Sequence, residues 1–149
     1  MMLDFFKFPR TPYLISSQGE RSLSQGEMEE FLRHEIVVEE KIDGSNLGIS
    51  FSEDGEPLLQ KRGSYIKYWP GLDEWLESRL DILFDNLLDR YILFGEWCYA
   101  KHSIYYDRLP DWFLGFDIYD KVEKRFFSTE RRDNLLDKMN IHRAPFIAK

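Results

Sequence analysis

Two apolar strands, separated by an acidic turn that carries a single lysine, narrow the possible folds of this chain more than any other segment. The first strand (residues 35–40) has the apolar centre Ile36, Val37 and Val38 between glutamates. In the second (residues 47–51), apolar residues alternate with small or polar ones, as in a half-buried strand. Asp43 and Gly44 favour a tight turn between them. A lysine amine has a reference pKa of about 10.4, so it acts as a nucleophile only where its surroundings deprotonate it. Lys41 fits such a role beside a phosphate site, although an ordinary hairpin with a solvated lysine fits this short pattern equally well.

Three further segments follow the lysine turn in a fixed order. The first contains Arg62 and Gly63, the second is an apolar strand that ends in a glycine followed by Glu96, and the third is a strand that contains Phe116 and Asp117. Together with the lysine turn, this order resembles the covalent nucleotidyltransferases, which comprise DNA ligases, RNA ligases and mRNA capping enzymes. Four elements in one order are far more specific than one short motif.

Within that superfamily the chain is most similar to RNA ligases of the phage nick-sealing type and their small bacterial relatives. Asn46, five positions after the lysine, is typical of those ligases, and so are residues 95–104 running into residues 109–114. The opening residues 8–14 are similar to their N-terminal segment, more weakly. The resemblance covers nearly the whole chain and implies ATP-dependent joining of 3′-hydroxyl and 5′-phosphate RNA ends.

The resemblance also implies the fold. We expect an α+β fold, the antiparallel-sheet adenylylation domain of nucleotidyltransferases (ATP-dependent ligase, ATP-grasp-like), with residues 1–149 forming a single partial domain. The family continues with a glutamate–glycine strand and a lysine-x-lysine strand, which bind the metal and the α-phosphate. Neither is matched after Asp117. The domain is therefore expected to be incomplete at its C-terminus, as a fragment, a split enzyme or a remnant.

The resemblance assigns the chemistry to a few residues. Lys41 would attack the α-phosphate of ATP, expel pyrophosphate and hold AMP through a phosphoramide bond. A carboxylate so near the lysine favours its charged form unless a cation intervenes, so Asp43 would hold hydrated Mg²⁺ or Mn²⁺. Capping of the turn by the Asp43 side chain is an equally good interpretation.

The nucleotide is expected to contact several other side chains. Glu40, Arg62 and Glu96 would contact the adenosine, and a charged residue that ends an apolar strand is rarely buried without a partner. Phe116 would stack on adenine, although core packing is the ordinary role of a phenylalanine in a strand. Asn46 would position the metal-bound phosphate or the RNA end, or would hydrogen-bond the turn.

Basic residues interleaved with aromatic ones follow Glu96. Lys101 and His102 lie among Tyr99, Tyr105 and Tyr106, a composition that suits contact with the phosphate and bases of an RNA end. His34 and His142 have no cysteine or histidine at ligand spacing, so no transition-metal site is predicted.

Composition sets broader limits. The net charge of −7 argues mildly against nucleic-acid binding, but the basic residues are clustered, which matters more than their sum. An apolar content of 43% excludes disorder, and the apolar runs are too short to span a membrane. The single cysteine, Cys98, excludes an internal disulfide and suits the cytoplasm, and it is expected to be a small buried residue.

The remaining elements follow from periodicity and turn chemistry. A capping box predicts a helix over residues 24–33 with Met28, Phe31 and Leu32 inward, and leucine spacing predicts the longest helix over residues 72–88. Hairpin turns are expected at residues 54–55 and 121–124, and a final helix is expected over residues 130–139, ended by Asn140 in a left-handed conformation. The tryptophans expected in the core are Trp69, Trp75 and Trp112.

Two functions remain open from the sequence alone. The first is an ATP-dependent RNA ligase. The second is a catalytically incomplete ligase-like module that binds nucleotide, RNA or a complementing partner, such as a C-terminal half on another chain or a second copy. An exposed sheet edge would favour the second, because unpaired strands invite association.

Overall fold

A computed structural model describes residues 5–15, 21–99 and 106–149 of this chain. These residues form seven strands and four helices. In chain order they are α1 (Gln25–Phe31), β1 (Val38–Glu39), β2 (Ser45–Phe51), β3 (Pro57–Gln60), α2 (Leu72–Glu77), α3 (Leu80–Leu87), β4 (Tyr91–Trp97), β5 (Phe113–Asp120), β6 (Arg125–Phe126), α4 (Thr129–Lys138) and β7 (Phe146–Ala148).

Five of the strands form one antiparallel sheet with the order β3-β2-β4-β5-β6. The expected turn at Gly55, where φ is +81°, joins β2 to β3, and the expected turn after Asp120 joins β5 to β6. Apolar alternation in β2 places Leu47, Ile49 and Phe51 on one face of the sheet. The helices α2, α3 and α4 cover that face and complete the main core. The α+β architecture with an antiparallel sheet is confirmed.

The opposite face of the sheet is partly covered by the N-terminal segment. Phe6 and Phe8 pack there against Phe94, and the Phe6 ring stacks on Tyr119 with centroids 3.7 Å apart. Gln60 fixes this segment, because its side-chain amide donates a 2.8 Å hydrogen bond to the carbonyl of Phe6.

The strand before Lys41 does not pair with the strand after it. β1 pairs with β7 in a separate antiparallel ribbon, in which Val38 lies opposite Ala148. The lysine turn therefore connects two sheets and is not the tip of a hairpin. The first strand is also shorter than expected, with two residues in place of six.

The predicted helix over residues 72–88 was wrong, because it is broken at Ser78 and Arg79. The Arg79 guanidinium donates to the carbonyl of Trp75 at 2.5 Å and pairs with Asp111 at 3.3 Å, which holds the chain out of helical register. As a result α4, with ten residues, is the longest described helix.

Most other helical predictions hold. The capping box of Ser24 and the left-handed Asn140 are confirmed. Phe31, Leu32 and Trp112 were expected to be buried, but each is about half exposed. The short helix α1 contributes no contact to the main core, so its apolar side chains have nothing to pack against there.

Candidate active site

The turn that carries Lys41 is held by hydrogen bonds from its own backbone. The amide of Asp43 donates a 2.8 Å bond to the Tyr106 hydroxyl, and the amide of Gly44 donates a 3.1 Å bond to the Glu96 carboxylate. Lys41 is exposed between these anchors and the β1 ribbon. The nucleophile predicted from the sequence thus stands on a backbone that is fixed on both sides.

Only glycine fits at position 44. A Cβ atom there would lie 2.6 Å from the carbonyl oxygen of Trp97 and 3.1 Å from the Cys98 sulfur. The close approach of this turn to the end of β4 lets the Gly44 amide reach Glu96. The φ of Gly44 is not in the left-handed region, so its backbone conformation does not require glycine. Glycine is required here by the close packing of the turn against β4.

Glu96 is the electrostatic centre of the site. Burial raises the pKa of its carboxyl group and the nearby Asp43 charge raises it further, whereas the Gly44 hydrogen bond and the charges of Lys41 and Arg62 lower it. The Gly44 hydrogen bond joins the lysine turn to Glu96 directly, and the charges of Lys41, Asp43 and Arg62 are near enough to act on the same carboxyl group. The structure thus brings together Lys41, Asp43, Arg62 and Glu96 from three separate segments.

Asn46 lies directly beside this carboxylate. Asn46 and Glu96 are opposite each other in the β2–β4 register, so their side chains project from the same face of the sheet. The Asn46 side-chain oxygen is buried and accepts no hydrogen bond from the described part of the chain. A buried acceptor without a donor is costly, so this atom is suited to a hydroxyl group or a hydrated cation brought by a ligand.

Phe116 occupies a bulge in β5. Phe94 pairs with Asp117 and Gly95 pairs with Gly115, which leaves Phe116 as the extra residue of the ladder. Phe8 lies edge-on to its ring at 5.5 Å, and the Arg62 guanidinium lies 5.7 Å from the Phe8 centroid. Phe116 is thus partly buried and meets Arg62 through an aromatic ring of the N-terminal segment, a contact that sequence spacing cannot show.

The remaining predicted residues lie apart from this cluster or outside the described ranges. Glu40 is exposed, and its backbone amide donates to the Pro145 carbonyl at 2.8 Å, so its backbone serves the β1 ribbon. Lys101 and His102 lie outside the described residues.

Metal binding at this site would use oxygen ligands. Among residues 5–15, 21–99 and 106–149, there is no group of three or more His, Cys, Asp or Glu side chains that could hold a metal ion. Asp43, Glu96 and the Asn46 amide oxygen supply carboxylate and carbonyl oxygens, which suit a hydrated Mg²⁺ or Mn²⁺ that keeps most of its ligands from water and phosphate. The donor set fits the metal that the family resemblance implies.

Cys98 does not compete with Lys41 as a nucleophile. It is buried as expected, and burial together with the charges of Glu96 and Asp43 raises the pKa of its thiol to about 11. At neutral pH it is therefore protonated and inert.

A second charged cluster lies beside the site, and of its members only Asp117 belongs to a sequence motif. Burial raises the pKa of Asp117 to about 6, with a further contribution from Glu39, although the charge of Arg132 lowers it. Arg132 is itself buried in α4 and pairs with Glu39. Arg132 shares one face of α4 with Leu135 and Leu136, three and four positions later, and this spacing was the sequence signal that could have indicated its burial.

Comparisons with known proteins identify the family of this chain. The sequence pattern of the RNA ligase family matches residues 34–149. No curated protein matches the chain. Among the described helices, none has the length and hydrophobicity needed to cross a membrane.

Solved structures share the fold. An archaeal ATP-dependent RNA ligase superposes with a TM-score of 0.65 and 21% identity over 95% of this chain and 37% of that one. Two Naegleria gruberi RNA ligase structures, one a lysine-to-alanine mutant with ATP and Mn and the other with PPi, each give a TM-score of 0.53 and 20% identity over 74% of this chain and 35% of theirs. The chain spans about a third of the length of these solved structures. Because the family pattern matches most of its residues, the chain belongs to the RNA ligase family.

Proposed function

We propose that residues 1–149 form a partial nucleotidyltransferase domain of an ATP-dependent RNA ligase, which joins 3′-hydroxyl and 5′-phosphate RNA ends through lysyl-AMP. The observation that carries this proposal is the half-buried Glu96 carboxylate, which accepts a hydrogen bond from the lysine turn and on which the charges of Lys41, Asp43 and Arg62 act. Membership of the RNA ligase family and the ATP and Mn in a related ligase structure support it.

The first step is transfer of AMP to Lys41. The neutral amine attacks the α-phosphorus of ATP, an N–P bond forms, and the bond to the β-phosphate oxygen breaks so that pyrophosphate leaves. The amine loses its proton to solvent, because the exposed position of Lys41 leaves it open to water. Two further transfers move AMP to the 5′-phosphate of an RNA end and then seal that end to the 3′-hydroxyl with release of AMP.

The neighbours of Lys41 hold the nucleotide. Glu96 and Glu40 would accept hydrogen bonds from ribose or base, Arg62 would donate to the nucleotide, and Phe116 would stack on adenine. The Asn46 side-chain oxygen, which is buried and accepts no hydrogen bond from the described residues, would accept one from a ligand hydroxyl or a metal-bound water. A divalent metal near Asp43 would neutralise phosphate charge.

The RNA would approach beyond the end of β4. Lys101 and His102 follow that strand directly and would contact the phosphate of an RNA end. We place the protein in the cytoplasm, because its one cysteine is buried as a thiol.

A second candidate is a catalytically incomplete module that binds nucleotide, RNA or a complementing partner. The β1–β7 ribbon favours it, because β7 pairs with β1 alone among the described strands and exposes Phe146 and Ile147. A strand from a C-terminal half on another chain, or from a second copy, would extend this ribbon by backbone pairing at its open edge.

Label transfer from α-labelled ATP to the protein, with Mg²⁺ or Mn²⁺, tests the proposal. The wild type should take up acid-labile label, as expected for a phosphoramide. Lys41→Ala should take up none, and Lys138→Ala, an exposed lysine on α4, should match the wild type. Adding nicked RNA to the labelled protein should then discharge AMP.

Two outcomes would contradict the proposal. Label that persists in Lys41→Ala would place the nucleophile elsewhere. An unlabelled wild type with a cooperative unfolding transition would exclude a chain that acts alone, and labelling that appears only with an added partner would favour the complementing module.

A further inference from the structure

Arg132 is the charged side chain most deeply enclosed beside the site, although neither sequence motifs nor its chemistry mark it as functional. It lies in α4 and is 5% exposed. A buried guanidinium is costly unless its donors are satisfied, so its contacts indicate what it holds in place.

The guanidinium is bonded on every side. Its two terminal nitrogens donate to the two carboxylate oxygens of Glu39, at 3.0 and 2.5 Å, in a bidentate pair. One of them also donates to the backbone carbonyl of Phe116 at 2.8 Å. The remaining nitrogen donates to Asp133 at 2.9 Å, which fixes the fork in one orientation.

These contacts connect two strands that belong to different sheets. Glu39 is in β1, two residues before Lys41, and β1 pairs with β7. Phe116 is the bulged residue of β5, which pairs with β4 and β6. Backbone bonds of Gly115 with His142 and Ala144 also join the two sheets, but they reach the ribbon on the β7 side. Among the described side chains, it is Arg132 that hydrogen-bonds both to β1, through Glu39, and to the bulge of β5, through the Phe116 carbonyl.

We propose that Arg132 is a positioning residue, which sets the distance and orientation between the strand that delivers Lys41 and the bulge that presents Phe116. This inference rests on the proposed function, because it assigns these two residues to the nucleophile and to the adenine stack. Arginine suits the task because its planar fork fixes a carboxylate and a carbonyl together, whereas lysine offers a single point charge.

Arg90 is the matched control, because it also bonds to a residue of β5. Arg90 forms a bidentate pair with Asp120, at 3.0 and 2.8 Å, three residues along β5 from Asp117. Arg90→Lys and Arg132→Lys therefore each remove a bidentate arginine–carboxylate pair, with Asp120 in the first variant and with Glu39 in the second. Only the second change loosens the connection to Lys41.

Hydrogen exchange tests the connection without any need for activity. In Arg132→Lys, the amides of Glu40, Asp43 and Gly44 should exchange about tenfold faster or more than in the wild type, while the β2–β3 hairpin is unchanged. In Arg90→Lys these three amides should keep their wild-type exchange. Equal protection of the lysine turn in Arg132→Lys and wild type would refute the inference, even if the wild type takes no label and the proposed function fails.

AMP transfer then separates positioning from simple loss of stability. Arg132→Lys should lower the labelling rate at saturating ATP by about 10- to 100-fold and raise the KM for ATP, because both the nucleophile and the stacking ring move. Glu39→Gln, which loosens β1 and leaves the Phe116 carbonyl bonded, should lower the rate with a smaller change in KM. If Arg90→Lys, at a similar Tm, lost labelling to the same extent, or if Arg132→Lys kept the wild-type rate, the positioning role would be wrong.

Discussion

Replacement of Asp117 by asparagine should make the protein more stable at neutral pH. Burial raises the pKa of this carboxyl from 3.8 to about 6, so desolvation outweighs the favourable charge of Arg132. Asparagine keeps the shape of the side chain and never ionises. The substitution therefore removes the cost of a buried charge and leaves the packing of β5 unchanged.

The size of the effect follows from the pKa shift. A rise from 3.8 to about 6 corresponds to about 3 kcal/mol. Below pH 3.8 the carboxyl is protonated in both the folded and the unfolded state, and its contribution to stability is complete. As the pH rises through 6, the folded state loses the proton that the unfolded state has already lost, so stability falls. About 2 kcal/mol of this loss lies between pH 4.5 and 7.5.

Urea unfolding followed by tryptophan fluorescence, at several pH values across that window, measures the difference between wild type and Asp117→Asn. Asp120→Asn is the control, because the Arg90 hydrogen bonds lower the pKa of Asp120 to about 2. Its stabilising contribution is lost only as the pH falls through about 2, so this variant should differ from wild type by a constant amount between pH 4.5 and 7.5. A constant difference for Asp117→Asn as well would mean that Arg132 keeps Asp117 ionised, and the argument from burial would be refuted.

Two further predictions concern the lysine turn. Gly44→Ala should destabilise the protein by about 1–3 kcal/mol and slow AMP transfer, because the new methyl group meets the Trp97 carbonyl at 2.6 Å. Gly63→Ala, which meets nothing within 4 Å, should stay within about 0.5 kcal/mol of wild type by urea unfolding. Tyr106→Phe leaves the Asp43 amide without its 2.8 Å partner and should cost about 1–3 kcal/mol, with faster hydrogen exchange at that amide. Unchanged exchange would show that the Tyr106 hydroxyl does not protect this amide, and the prediction would be wrong.

Local chemistry made part of the fold predictable. The Ser24 capping box and the turn at Gly55 each follow from interactions within a few residues, and both are present. The alternation in β2 and the apolar run of β4 likewise show which side chains of each strand are buried, whichever strand it pairs with. Such features depend on near neighbours along the chain, which a sequence displays directly.

Contacts between distant residues were not predictable in the same way. The helix over residues 72–88 breaks because Arg79 reaches Asp111, a residue 32 positions away. The strand before Lys41 joins β7 at the far end of the chain. Leucine spacing and turn propensity carry no information about Asp111 or β7. They therefore favoured one long helix, and they could not exclude a simple hairpin at Lys41.

The candidate site was likewise predictable only in part. The family resemblance predicted that Lys41, Asp43, Arg62 and Glu96 share a site, and in the structure the charges of the first three act on the Glu96 carboxyl group. Their roles in the reaction stay predictions. The connection through Arg132 is formed by a helix with no motif, so only the three-dimensional contacts reveal it.

The site keeps two carboxyl groups in surroundings that disfavour their charge. Burial raises the pKa of both Glu96 and Asp117. The negative charge of Asp43 raises the pKa of Glu96 further, and that of Glu39 raises the pKa of Asp117 further. Selection for stability alone would replace such groups by neutral ones. A cation bound with a nucleotide would favour their ionised forms and return part of the lost free energy as binding free energy. For this reason, substitutions that stabilise the free protein at these positions are expected to weaken its affinity for a metal-bound nucleotide.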